Sequence, residues 1–120
     1  DEIFSMSIDN AQPDNHRIAV RYVRDDITAV LIQSYLFKPS KKLLVKLLDI
    51  SSKGALINSK YKFSEKKKVT LELVFKDQRK FIISSQVIHH KNNCYGLKFD
   101  HTNNDLGDYL LISQNDLTFK

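Results

Sequence analysis

Six polar-leaning residues, Asp49-Ile50-Ser51-Ser52-Lys53-Gly54, interrupt two apolar runs: Leu43, Leu44, Val45, Leu47 and Leu48 before them, Ala55, Leu56 and Ile57 after. A chain that arrives as a strand, turns or bulges, and leaves as a strand would set Asp49 at a strand end with its carboxylate directed outward. Ser51 adds a short hydroxyl at a second offset on the same side. Gly54 admits a backbone conformation, or a close ligand approach, that a Cβ would block. A carboxylate, a hydroxyl and bare backbone at the mouth of a sheet could hold a small ligand. The same spelling is also ordinary turn chemistry.

A second element lies upstream, His16-Arg17-Ile18-Ala19-Val20-Arg21-Tyr22. Arg17 and Arg21 share a face in a helix and also in extended chain, because their spacing of four is even. The apolar stretch between them would keep both guanidiniums on one side of a packed segment. Guanidinium bonds guanine O6 and N7 as a fork, pairs bidentately with phosphate and stacks on aromatic faces. The Asp49 carboxylate would accept from the donors on the other guanine edge. Two arginines, an aspartate and a serine therefore suit a guanine nucleotide carrying phosphate.

The elements that must position these groups read mostly as strands. Asp26 to Phe37 alternates, with Ile27, Ala29 and Leu31 on one face and Thr28, Val30 and Ile32 on the other. Further strands follow at Lys42 to Leu48, Ala55 to Asn58, Val69 to Phe75, Phe81 to His90 and Cys94 to Phe99. Lys76-Asp77-Gln78-Arg79 and Lys91-Asn92-Asn93 make hairpin turns, and Phe75, Phe81 and Phe99 point to the core. Asn103 and Asn104 are helix-start residues, and Leu106, Tyr109, Leu110 and Ile112 fall near helical spacing, with Gly107 as a weak point. The pattern predicts an all-β antiparallel barrel with a terminal helix capping one end. Residues 1–15 are polar and broken by Pro13, and read as a flexible leader to one domain over residues 16–120. Ile3, Phe4, Met6 and Ile8 of that leader could dock on the domain.

Length and charge narrow the function. A chain of 120 residues supports one core, and its net charge of +5 favours an anionic partner. No apolar run approaches the roughly 20 residues of a membrane helix, and Ile3 to Ile8 lacks the basic flank of a signal peptide. One cysteine, Cys94, forbids an internal disulfide and suits a reducing compartment. There is no nucleophile with a base, no phosphate-cradling glycine loop and no carboxylate pair, so no enzyme reading stands. His89 and His90 have no third ligand at a metal-binding spacing. Arg24 would either assist with phosphate or pair with Asp25 or Asp26.

The two motifs together resemble the PilZ domain family, receptors for the bacterial second messenger cyclic di-GMP. The resemblance rests on Arg-x-x-x-Arg at Arg17 and Arg21, then Asp-x-Ser-x-x-Gly at Asp49, Ser51 and Gly54, and Tyr95-Gly96-Leu97-Lys98-Phe99 as a later strand. It covers about residues 16 to 112. It implies a six-stranded antiparallel barrel with a C-terminal helix and a mobile arginine arm. The ligand, often an intercalated dimer of cyclic di-GMP, would sit near the Asp-x-Ser turn under that arm. Arg17 and Arg21 would then bond guanine and phosphate, Asp49 a guanine edge and Ser51 the ligand through its hydroxyl, while Gly54 keeps the turn shape. Many members carry an arginine where His16 stands, and an imidazole there could still stack or donate.

On this resemblance the chain is a non-enzymatic receptor of the bacterial cytoplasm, without cofactor or metal. It would pass its signal to a protein partner or flanking domain, and residues 1–22 would order on binding. One rival is a PilZ-like domain that has lost ligand binding and acts only through protein contacts, for which His16 is the best argument. The other is a basic barrel binding single-stranded nucleic acid, with Tyr35, Phe37, Tyr61 and Phe63 as stacking platforms.

Overall fold

Apolar side chains facing inward from the strands close the sheet around one core. The structure, a computed structural model, describes residues 20–33 and 40–118, the last four by their helical backbone alone. The expected leader, His16 and Arg17 lie outside the described residues, as does the end of the first expected strand. The elements are β1 (Thr28–Gln33), β2 (Lys41–Ile50), β3 (Gly54–Asn58), β4 (Lys68–Val74), β5 (Lys80–Lys91), β6 (Cys94–Phe99) and α1 (Asn104–Thr118). Every pairing is antiparallel, and the order β1-β2-β3-β6-β5-β4 closes on itself through β1 and β4. The expected barrel and terminal helix are both present.

Ala29 and Leu31 of β1, Leu71 and Leu73 of β4, and Val87 and Leu97 of β5 and β6 are each at most 1 % exposed. Phe75, Phe81 and Phe99 are buried with them. Each Val, Leu or Phe among them contributes about 1.5–3 kcal/mol on burial, so this interior holds the fold. One strand changes phase. Leu43, Val45 and Leu47 point inward along β2, yet so does Ile50. The register moves from Leu47↔Ile57 to Asp49↔Leu56, leaving Leu48 as the extra residue of a β-bulge. Were Leu48 an ordinary paired residue, strict alternation would send Asp49 into the core and Ile50 to the surface.

Helix α1 lies across the end of the barrel where the β2–β3 turn and the β4–β5 hairpin emerge. Asn103 caps it, Oδ1 accepting from the Leu106 amide at 2.9 Å. Leu106 and Leu110 are fully buried. Tyr109 packs edge-on against Phe75 with centroids 4.8 Å apart and bonds Asp77 through its hydroxyl. The Arg79 guanidinium lies 4.8 Å from the Tyr109 ring centre, joining hairpin to helix.

Candidate functional site

β1 stops pairing with β2 at Val45, which leaves the far end of β2 with an unclaimed edge. Backbone groups so placed need partners. The chain just ahead of β1 supplies them: Tyr22 N donates to Ile50 O at 2.8 Å, and Ile50 N donates to Tyr22 O at 2.9 Å. This bridge fixes the base of the arginine segment beside the polar hexapeptide. Arg21 Nη2 donates to Asp49 Oδ2 at 2.5 Å, with the two side chains 26 % and 14 % exposed. The other carboxylate oxygen, Asp49 Oδ1, is buried, and among the described residues no group donates to it. A buried acceptor without a donor is costly.

The other motif residues sit differently. Ser51 is fully buried; its Oγ accepts from the amides of Lys53 at 3.1 Å and Gly54 at 3.3 Å. Its hydroxyl therefore builds the turn that presents Asp49. Gly54 is the first residue of β3 and has no positive φ. A Cβ there would stand 2.4 Å from the Leu97 carbonyl oxygen, so β6 itself demands the glycine. Both residues shape the corner from inside.

Arg24, 3 % exposed, resolves toward structure: Nε and Nη2 donate to the two oxygens of Asp26 at 2.8 and 2.9 Å. That bond first, and the guanidinium charge with it, holds the Asp26 carboxyl below its ordinary value against the opposing effect of burial. Beside the arm base runs a groove of about 360 Å³, lined among others by Asp25, Thr28, Leu44 and Lys46. A larger groove of about 470 Å³ is lined by Asp100, His101 and Asp105. Its carboxylates would repel phosphate, so it is set aside for an anionic ligand.

Phe63 is buried edge-on against Tyr95 with centroids 5.2 Å apart, and so offers no stacking face. Tyr35 and Phe37 lie outside the described residues. Cys94 is half-buried, and His90 stacks on Tyr95 at 5.2 Å. Among the described residues, no group of three His, Cys, Asp or Glu could hold a metal ion, and no helix is long and apolar enough to cross a membrane. Sequence reasoning missed the Tyr22–Ile50 bridge and the bulge at Leu48. A backbone contact leaves no signature in side-chain pattern, and one leucine in a run of leucines looks like the next.

Comparison with known proteins agrees with the geometry. The crystal structure of an uncharacterized Legionella protein aligns with a TM-score of 0.62 at 20 % identity, covering 82 % of this chain and 98 % of that one. At that identity the likeness concerns the fold alone. No curated protein matches significantly. The PilZ domain model matches residues 4–111. PilZ domains are ligand-binding receptors, and binding of cyclic di-GMP is the family's known role. With a family match over most of its length, on a closed six-stranded barrel, the chain belongs to the PilZ domain family.

Proposed function

We propose that this domain is a cyclic di-GMP receptor that converts binding of the messenger into a rearrangement of its N-terminal arm and of its contacts with a protein partner or flanking domain. The observation that carries the reading is the 2.5 Å contact of Arg21 with Asp49, which brings the two motifs together at one corner. Arg21, with Arg17 ahead of it and His16 as an added contact, binds guanine and phosphate of cyclic di-GMP, singly or as an intercalated dimer. Asp49 accepts from guanine N1–H and N2–H. Ser51 and Gly54 serve the ligand by holding Asp49 in place, and the domain of residues 16–120 follows a leader at 1–15. The receptor works in the bacterial cytoplasm, and nucleic acid is no partner.

The rival that binds no ligand takes some support from Ser51, whose hydroxyl is occupied within its own turn. Fluorescent cyclic di-GMP separates the readings. The receptor reading expects saturable binding, displaced by unlabelled cyclic di-GMP and not by an oligothymidylate. No binding would favour the rival, and displacement by the oligonucleotide would favour a nucleic-acid barrel.

A further inference from the structure

Helix α1 is fastened to both halves of the site. At its first turn the Asn103 amide donates to Ser52 O at 2.8 Å, and a Cβ on Gly107 would stand only 3.0 Å from the Ser52 Cβ. Ser52 belongs to the turn that presents Asp49. Further along, Ser113 Oγ accepts from Arg24 Nη1 at 3.0 Å. Gly107 and Ser113 are about 9 Å apart along the axis, at roughly 1.5 Å per residue. One rigid helix thus touches the aspartate turn at one end and the root of the arginine arm at the other.

Arg24 belongs to neither motif, yet its guanidinium is held by several partners. It forks onto Asp26, reaches Ser113 and lies 5.8 Å from the centre of the Phe75 ring. A guanidinium taken so far out of water holds its place only if its donors are satisfied. Only Tyr22 and Val23 separate it from Arg21, and Val23 is 83 % exposed and anchors nothing. The root of the arm is therefore fixed at two points: the Tyr22–Ile50 bridge and Arg24.

We propose that Arg24, held by Ser113, is a positioning residue: it sets where Arg21 emerges opposite Asp49 and ties the site to helix α1. The positioning stands on these contacts alone. Transmission of ligand binding into α1 rests on the cyclic di-GMP reading.

Amide hydrogen exchange on the full chain tests it. In Ser113→Ala, the Tyr22 and Ile50 amides, which close the bridge, should exchange about tenfold faster, while Leu71 and Leu73 in the barrel wall keep their rates. Arg24→Lys, which keeps the charge and loses the fork, should do the same. A merely structural contact would raise all four rates together, and that result, or no change at Tyr22 and Ile50, overturns the proposal. With cyclic di-GMP added, wild-type α1 amides near Ser113 should gain protection that Ser113→Ala loses. Equal protection in both proteins would overturn the transmission. A wild type that binds no cyclic di-GMP would sink the receptor reading and the transmission with it, while the ligand-free rates still decide the positioning.

Discussion

An added methyl group at Gly54 would meet a backbone atom. The Leu97 carbonyl cannot swing aside as a flexible side chain would, so Gly54→Ala must push β3 from β6 or tilt the turn. Overpacking of this kind costs about 1–3 kcal/mol. Thermal unfolding should show a midpoint lowered by several degrees, and an unchanged midpoint would contradict the packing described. Asp26 supplies a second test at this scale. Its ordinary value is 3.8, and Arg24 holds it lower in the folded protein. Just below pH 3.8 the unfolded chain therefore binds more protons than the folded one, and stability falls as pH falls through the folded value. Above the unfolded value the contribution is complete. Asp26→Asn should flatten this acid limb of the stability curve, measured by denaturant unfolding at several pH values. The Arg21–Asp49 contact joins two residues that type and spacing single out. What Gly54 must avoid was not legible in that way, because Leu97 is remote in sequence.

The bulge in β2 decides whether the site exists. Leu48 looks no different from Leu47, yet it lets Ile50 remain in the core while Asp49 turns to Arg21. Deleting Leu48 removes the extra residue, so plain alternation keeps Leu47 and Ile50 inward and Asp49 outward but loses the bend of the bulge that aims its carboxylate at Arg21. The deletion variant should keep its β-rich circular dichroism spectrum and lose cyclic di-GMP binding. A folded variant with normal binding would contradict the assignment. Strand positions were readable because period-two patterning reports a half-buried sheet directly, most plainly for Val69, Leu71 and Leu73 of β4. Helix α1 announced itself through Asn103 and the spacing of Leu106 and Leu110. The reason for Gly107 lay hidden, since its neighbour Ser52 sits in the β2–β3 turn, remote in sequence.

At the scale of the molecule, barrel closure makes a site from two separated stretches of chain. β1 must leave β2 early enough for Tyr22 to take up the vacated edge, and that depends on how the sheet curves shut. Periodicity indicates strands but not their partners, so this proximity followed only from the family resemblance. The surplus of positive charge suits an anionic ligand without selecting one. The central claim is that Arg21 and Asp49 act as one receptor for guanine. It is tested most directly by calorimetric titration of cyclic di-GMP into the wild type, Arg21→Ala and Asp49→Ala. Loss of a bidentate contact to guanine is worth about 1–3 kcal/mol, so each variant should bind roughly ten- to a hundredfold more weakly than a wild type that binds saturably. Wild-type affinity in both variants would contradict the account.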